Sequence, residues 1–355
     1  MNELQTLGWS EFFAAQVSEE EKKSAVPARV SAEHRTEYVV WTAESELRAE
    51  LTGRFRHAVP QDVWPAAGDW VLVQPRGEAK AAVLRVLERR SAFMRKAAGP
   101  GLPAEQVVAA NVDYVFLACA LNRDFNLRRL ERYLALAWES RAEPVVVLTK
   151  ADLCGNLAEV RAAVENIAGG APIHAVSALR GDGLDDLLPY LQPGRTAALL
   201  GSSGVGKSTL ANRLAGQALL AVKTIGDDDT GRHTTTHRQL VRLPSGGLLL
   251  DTPGMRELQL WDAEQGVERG FDDVETLARQ CRFTDCRHKA EPGCAILEAL
   301  ANGTLDESRL RSYGKLQREA AFQARRNNHR LASREKARWK SIQKNNQANE
   351  RLKWG

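Results

Sequence analysis

Residues 196–209 read TAALLGSSGVGKST, an apolar run that leads into a glycine-rich loop and a Lys-Ser-Thr sequence. The loop fits the pattern G-x-x-x-x-G-K-[ST], which joins a strand to a helix and cradles phosphate groups. Glycines let successive backbone N–H groups turn toward a phosphate, and the N-terminus of the next helix attracts negative charge. The sequence therefore predicts a P-loop α/β domain with a phosphate site at this turn.

The loop residues have separate predicted roles. Lys207 would neutralise charge on the β- and γ-phosphates, and Ser208 would give its hydroxyl to Mg²⁺. The residues expected to bind the nucleotide at this loop are Gly201, Ser202, Ser203, Gly204, Val205, Gly206, Lys207, Ser208 and Thr209.

Strand and helix patterns alternate on both sides of the loop. The apolar runs are VDYVFLAC (112–119), PVVVLT (144–149), IHAVS (173–177) and GLLLD (247–251). Continuous apolar runs are typical of buried parallel strands. Segments with helical patterns lie between the first three of these runs. This alternation predicts a mostly parallel sheet with helices on both faces over residues 105–275.

Two of these strands end in sequences that predict binding of a guanine base. Thr149, Lys150, Ala151 and Asp152 resemble the [NT]-K-x-D motif, and Ser177 and Ala178 resemble the second guanine loop. An aspartate accepts hydrogen bonds from both N1 and N2 of guanine, whereas adenine offers no such pair of donors. A carboxylate left unpaired costs several kcal/mol, so the motif favours GTP strongly over ATP.

The order of these motifs along the chain is unusual. In Ras-like GTPases the phosphate loop precedes the guanine motifs, whereas here it follows them. A permutation preserves the site because ligands bind at the carboxyl ends of parallel strands wherever the chain begins. The sequence DTPG follows about forty residues after the loop, where Asp251 would hold Mg²⁺ through water and the Gly254 amide would meet the γ-phosphate.

Residues 223–238, KTIGDDDTGRHTTTHR, have the composition of a switch loop. One of Thr234, Thr235 or Thr236 is expected to complete the Mg²⁺ shell. Met255 stands where Ras-like enzymes have the glutamine that orients water. His233 is the candidate substitute, the alternative being a structural or RNA-facing role, and unassisted turnover is expected at about 10⁻⁴–10⁻³ s⁻¹.

A cysteine and histidine cluster predicts a zinc site near the C-terminus. Cys281, Cys286, His288 and Cys294 fall within fourteen residues, and three thiolates with one imidazole form a closed tetrahedral set. One structural Zn²⁺ is therefore expected, the alternative being reduced surface cysteines beside an incidental histidine. Zinc would stabilise a segment that is too small to form a core of its own.

Charge is distributed unevenly along the chain. Residues 309–355 contain fourteen Lys and Arg against three Glu, a net +11, although the whole chain carries only +4. A basic tail on an acidic body indicates a polyanionic partner, and nucleic-acid contact is favoured over a solvated helix. We expect no membrane segment or export signal, a cytoplasmic location and a monomer.

The N-terminal part has a different pattern. Residues 1–34 predict a short helix and a flexible lead-in. Short alternating runs over 35–98, separated by Gly and Pro, predict a small β-barrel or sandwich. AAGPGLP at 97–103 has the composition of a linker.

The assembled motifs resemble the ribosome small-subunit-dependent GTPase A family. The residues that carry the resemblance are TKAD (149–152), GSSGVGKST (201–209), GRHTTT (231–236), DTPG (251–254) and CRFTDCRHKAEPGC (281–294). AANVDYVFL (109–117) is also similar to the strand that begins the family's GTPase domain. Thr149 stands where many members have Asn, and the tail beyond about 330 is less typical.

The resemblance implies a multidomain α/β protein. It has an N-terminal OB-fold β-barrel, a central circularly permuted P-loop GTPase and a C-terminal zinc-binding α-helical domain. We expect these at 35–98, 105–275 and 276–330, with a lead-in at 1–34 and a basic tail at 331–355. The implied function is late maturation of the 30S ribosomal subunit, in contact with 16S rRNA and with GTP hydrolysis to GDP stimulated by that subunit.

Two other function classes remain open from the sequence. One is a P-loop kinase or ATPase. The other is a GTP-switched RNA-binding or metal-handling protein unconnected with ribosome assembly.

Overall fold

A computed structural model describes most of the chain. The described residues are 2–34, 37–60, 63–96, 105–123, 125–217, 239–251, 267 and 269–321. The chain divides into two compact units, one formed by Met1–Gln259 with Arg269–Asp272 and the other by Leu260–Glu268 with Asp273–Gly355. No helix within the described ranges is both long and apolar enough to cross a membrane.

The chain begins with two short helices, α1 (Glu3–Thr6) and α2 (Glu11–Ala14). Asn2 caps α1 by accepting from the Gln5 N–H at 2.9 Å, while the Gln5 side chain accepts from the Asn2 N–H at 2.8 Å. The segment after α1 is anchored by aromatic packing, because the Trp9 ring meets Trp70 edge-on at 4.8 Å between centroids. This lead-in is therefore packed against the fold.

The first sheet region is a closed five-stranded barrel with an OB-fold. Its elements are β1 (Val26–Glu33), β2 (Tyr38–Trp41), β3 (Glu46–Leu51), α3 (Gly53–Ala58), β4 (Trp70–Pro75) and β5 (Lys80–Val86). The strand order is β1-β2-β3-β5-β4, and β1 also pairs with β4, so the sheet closes. Closure removes the exposed edges of the sheet, and alternate residues such as Val30, Val40 and Val71 fill the interior.

The first barrel strand corrects one prediction. Residues 26–33 were predicted to belong to a flexible lead-in, but they form β1, which pairs with both β2 and β4. The pattern is obscured because Arg29 and Ser31 are polar residues that the fold buries. Of the two predicted architectures, the barrel is confirmed and the sandwich is wrong.

A two-stranded antiparallel sheet follows, made of β6 (Ala92–Lys96) and β7 (Glu105–Ala110). The predicted linker at 97–103 lies outside the described residues. Antiparallel pairing of the flanking strands shows that their ends come together.

The second sheet region is the predicted, mostly parallel sheet. Its elements are β8 (Tyr114–Ala120), α4 (Leu127–Glu139), β9 (Glu143–Thr149), α5 (Leu157–Glu165), β10 (Ile173–Val176), β11 (Thr196–Leu200), α6 (Lys207–Ala215), β12 (Gln239–Arg242) and β13 (Leu248–Asp251). The strand order is β10-β9-β8-β11-β13-β12, and only β12 runs antiparallel to its neighbour β13. Residues 185–191 form a 3₁₀ helix that contains Pro189.

The two sheet regions are continuous in hydrogen bonding. β12 pairs antiparallel with β1, with Gln239 opposite Ala32. The order along the whole eleven-stranded sheet therefore passes from the parallel region through β12 into the barrel.

The second unit is helical in its described part. It contains α7 (Asp272–Arg279), which begins at the boundary between the units, then α8 (Ala295–Ala301) and a helix over 307–321, here α9. Arg309 makes a bidentate ion pair with Asp273, with both N–O distances 2.7 Å. The Cys/His cluster lies in the loop between α7 and α8.

Candidate nucleotide-binding site

The predicted motifs meet at one edge of the parallel sheet. β9, β10, β11 and β13 run in the same direction as β8, and each leads at its carboxyl end into a predicted nucleotide motif. β11 lies between β8 and β13, so the phosphate loop is at the centre of the edge. This is the position at which open α/β sheets bind their ligands.

The phosphate loop connects β11 directly to α6. Gly201 must be glycine, because a Cβ atom there would lie 2.5 Å from the carbonyl oxygen of Ala118. Gly206 has φ +96°, a left-handed conformation that favours glycine at the start of α6. The Lys207 ammonium donates to the carbonyl oxygens of Gly201 at 2.7 Å and Ser202 at 2.6 Å. The Lys207 side chain therefore lies against the phosphate loop.

The first guanine motif is bonded to the phosphate loop. Thr149 is buried at the end of β9, and its Oγ1 donates to the carbonyl oxygen of Val205 at 2.6 Å. Lys150 adopts a left-handed conformation with φ +57°, and its Nζ donates to the carbonyl oxygen of Gly204 at 2.8 Å. Two motifs separated by about fifty residues are thereby joined by two direct bonds.

Asp152 lies in the 3₁₀ turn Ala151–Leu153, beside the second guanine loop. A hydrogen bond from Ser177 lowers the pKa of the Asp152 carboxyl, and the charges of Arg180 and Lys150 act in the same direction. The carboxyl group is therefore an anion that can only accept hydrogen bonds at neutral pH. Ser177 itself is buried, and its N–H donates to the carbonyl oxygen of Asp182 at 2.9 Å.

The structure also brings two residues to the site that the sequence analysis did not identify. Arg129 of α4 donates to the Ser202 hydroxyl of the phosphate loop at 2.7 Å. Arg213 of α6 donates to the carbonyl oxygens of Ala178 at 2.8 Å and Leu179 at 2.7 Å. No local motif marks either arginine, since both contacts depend on which strands are neighbours in the sheet.

Several predicted site residues lie outside the described part of the structure. These are His233, Thr234, Thr235, Thr236, Gly254 and Met255. Asp251 is described as the last residue of β13, opposite Gln239 of β12. Ser208 and Thr209 lie in the first turn of α6.

The Cys/His cluster has the geometry of a tetrahedral metal site. The ligand atoms of Cys281, Cys286, His288 and Cys294 all lie within 4.8 Å of one another. The Cys281 and Cys294 sulfur atoms are 3.8 Å apart, and His288 Nδ1 lies 3.4 Å from the Cys294 sulfur. Zinc–sulfur bonds of about 2.3 Å give tetrahedral sulfur–sulfur distances of about 3.8 Å. The four residues therefore fit Zn²⁺.

The strand order, the bonded motifs and their sequence order define a class. The chain is a P-loop GTPase of circularly permuted topology, preceded by an OB-fold barrel and followed by a helical unit that carries a Cys₃His cluster. The permuted fold has the guanine motifs before the phosphate loop in the chain and beside it in space.

Comparisons with known proteins agree with this class. The chain belongs to the RsgA GTPase family, whose model matches residues 86–261. A relative from Opitutus terrae, named small ribosomal subunit biogenesis GTPase RsgA, is 49% identical over 98% of both chains. The structure of YjeQ from Thermotoga maritima is 30% identical with a TM-score of 0.64, covering 84% of this chain and 99% of that one.

The fold is also similar to that of YloQ, described as a circularly permuted GTPase. That comparison gives a TM-score of 0.61 at 22% identity and covers 86% of this chain and 99% of the other. Together these findings make the chain a GTP hydrolase.

Proposed function

We propose that this protein hydrolyses GTP to GDP at the described edge of the sheet and acts in late maturation of the small ribosomal subunit. The observation that carries the proposal is the bonding of the guanine motif to the phosphate loop, through Thr149–Val205 and Lys150–Gly204. A relative named for small ribosomal subunit biogenesis that matches 98% of both chains supports the second part.

The nucleotide would bind with its phosphates on the loop 201–209 and its base between the two guanine motifs. The backbone N–H groups of the loop and the N-terminus of α6 would hold the β-phosphate, and Lys207 would neutralise its charge. Asp152 would accept from N1 and N2 of guanine, while the Lys150 stem packs on the base. A backbone N–H at 178–179 would meet the base oxygen.

We propose Ser208 and Asp251 as residues that hold Mg²⁺, with one of Thr234, Thr235 or Thr236 completing its shell. Two positions support this proposal, since Ser208 lies in the first turn of α6 and Asp251 ends the neighbouring strand β13. The ion would neutralise charge that develops on the phosphates. His233 would position the attacking water, and the Gly254 amide would meet the γ-phosphate.

We propose one structural Zn²⁺ on the Cys₃His cluster. We also keep the domain limits 35–98, 105–275 and 276–330 with one change: the barrel begins at residue 26 instead of 35, because β1 belongs to it. The 30S subunit and its 16S rRNA are the proposed partners of a cytoplasmic monomer. The basic segment 309–355 carries a net +11, which suits an RNA partner.

The experiment that tests the proposal is GTP hydrolysis with and without purified small subunits. Slow intrinsic turnover, on the order of 10⁻⁴–10⁻³ s⁻¹, should rise at least about a hundredfold with small subunits, by analogy with partner-stimulated GTPases. Large subunits at equal concentration are the control. Equal turnover in all three conditions would remove the assembly role and leave a GTP-switched RNA-binding protein.

Base recognition is tested separately with Asp152→Asn. The amide offers a donor where xanthine has an oxygen, so the variant should lose GTP affinity and gain XTP affinity. A variant without that exchange of preference would exclude Asp152 as the base reader.

A further inference from the structure

Arg213 connects the helix of the phosphate loop to the second guanine loop. Its Nε donates to the carbonyl oxygen of Ala178 at 2.8 Å, and its Nη2 donates to that of Leu179 at 2.7 Å. One guanidinium therefore holds two consecutive peptide groups of a loop that lies 34 residues earlier in the chain. Its planar fork makes such a two-point contact more directional than a lysine could.

Side-chain packing holds Ala178, which is buried in the core, but not the next residue at the tip of the guanine loop. Leu179 is 74% exposed, although it is a large apolar residue. At its base the loop is closed by its own backbone, with the Gly181 N–H donating to the Ser177 carbonyl oxygen at 2.7 Å. Beyond the packing of Ala178, the two bonds from Arg213 hold the backbone at the tip.

The other end of the same helix carries the phosphate loop. Lys207 is the first residue of α6, and Arg213 lies in its last turn. Six residues of α-helix span about 9 Å, so α6 is a rigid spacer between the phosphate site and the tip of the guanine loop. A backbone N–H that reads a base must be placed to within about 0.5 Å to discriminate.

We propose that Arg213 is a positioning residue that sets base specificity, by fixing the peptide groups at 178–179 against the oxygen at position 6 of guanine. This inference rests on the proposed guanine site. It separates two parts of base reading, since Asp152 reads N1 and N2, whereas the peptide held by Arg213 reads the base oxygen. Loss of Arg213 should weaken recognition of the base oxygen and leave recognition of N1 and N2 unchanged.

The test measures equilibrium binding of three diphosphates to the full chain: GDP, 6-thio-GDP and IDP. Sulfur at position 6 is a larger and weaker acceptor than oxygen, and IDP lacks only the 2-amino group. Wild-type protein should prefer GDP over both analogues. Arg213→Ala should weaken GDP binding about tenfold, as expected for loss of a placed hydrogen bond, and weaken 6-thio-GDP binding clearly less. The ratio of GDP to IDP affinity should stay at its wild-type value.

Two further variants separate positioning from a general structural effect. Arg213→Lys keeps the charge and one bonding direction, and its GDP to 6-thio-GDP ratio should lie between those of wild type and Arg213→Ala. Arg161→Ala is the matched control, because Arg161 is an exposed arginine of α5 paired with Glu165 at 3.0 Å. It should leave both ratios unchanged.

The outcomes are distinguishable. If Arg213→Ala lowers the affinity for all three nucleotides by the same factor, or leaves the 6-thio-GDP ratio unchanged, Arg213 does not set specificity. If wild-type protein itself fails to prefer GDP over IDP and 6-thio-GDP, the proposed guanine site fails, and this inference with it.

Discussion

Thr149 is a single hydroxyl that joins the base end of the site to the phosphate loop. It is 2% exposed, and it donates to the carbonyl oxygen of Val205, a residue that is 3% exposed. Asparagine, found at this position in many proteins with this motif, also carries a donor at the end of a short side chain. Threonine therefore preserves the contact.

Thr149→Val should disrupt this link with little change in shape. The Val205 carbonyl oxygen would lose its hydroxyl donor, at a cost of about 1–3 kcal/mol. We expect the free energy of unfolding in urea to fall by that amount and GDP to bind about tenfold more weakly. Thr149→Asn, which keeps a donor, should stay within about threefold of wild type. An unchanged GDP affinity for Thr149→Val would contradict the link.

Arg129 contacts the phosphate loop from a different element, helix α4. Its Nη1 donates to the Ser202 hydroxyl at 2.7 Å from the first turn of α4. Arg129→Met and Ser202→Ala should each weaken GDP binding several-fold, and the double variant should be no weaker than the worse single variant. That non-additivity corresponds to a coupling of about 1 kcal/mol. Additive losses in the same binding assay would show that the two residues act independently.

The Cys₃His cluster is expected to stabilise the fold of the second unit. Because unfolded chains rarely form such a site, its metal binding energy becomes folding energy. Cys286→Ser should therefore abolish stoichiometric zinc in purified protein and lower the thermal stability of the helices around it. Cys154→Ser is the control, since Cys154 lies outside the cluster. GDP affinity should stay within about twofold of wild type, because the nucleotide loops belong to the other unit.

Zinc analysis and differential scanning calorimetry provide the measurements for that prediction. Full zinc occupancy in Cys286→Ser would show that three ligands suffice or that other residues bind the metal. Loss of zinc from Cys154→Ser would place that thiol in the site.

At the scale of elements, the sequence predicted what is encoded locally. Three motifs could be predicted because each is a short segment whose residues are spaced to contact a single ligand: the phosphate loop, TKAD and the Cys/His cluster. β1 was missed because burial of Arg29 breaks the expected alternation of polar and apolar residues. Arg213 was missed for a different reason, since its partners at 178–179 are neighbours only in the folded sheet.

Across the whole molecule, Arg29 joins the barrel to the GTPase sheet. It is fully buried in β1 and donates to the carbonyl oxygens of Gly68 at 3.0 Å and Asn111 at 2.9 Å, to the Thr196 hydroxyl at 3.0 Å, and to the carbonyl oxygen of Leu7. Burial lowers the pKa of Arg29 to about 10, and the charge of Asp113 opposes that effect. The group therefore stays charged at neutral pH.

The partners of Arg29 belong to three parts of the fold. Leu7 follows α1, Gly68 precedes β4, and Thr196 is the first residue of β11, the strand that ends at the phosphate loop. The pairing of β1 with β12 and the stacking of Arg242 of β12 on the Trp41 ring of β2 also join the barrel to the parallel region. Arg29 is thus placed to make the two regions unfold together.

Arg29→Met should uncouple the barrel from the GTPase sheet. Methionine fills similar volume but leaves several buried acceptors without a donor, each costing about 1–3 kcal/mol. We expect a total loss of at least about 3 kcal/mol and a calorimetric transition that broadens or splits in two. Arg85→Met is the matched control, because Arg85 pairs with Glu21 at 2.7 Å within the N-terminal region and is 37% exposed. In a split profile, GDP should raise the melting temperature of only one transition, that of the GTPase sheet. A single sharp transition at the wild-type temperature would show that the barrel and the sheet are held together without Arg29.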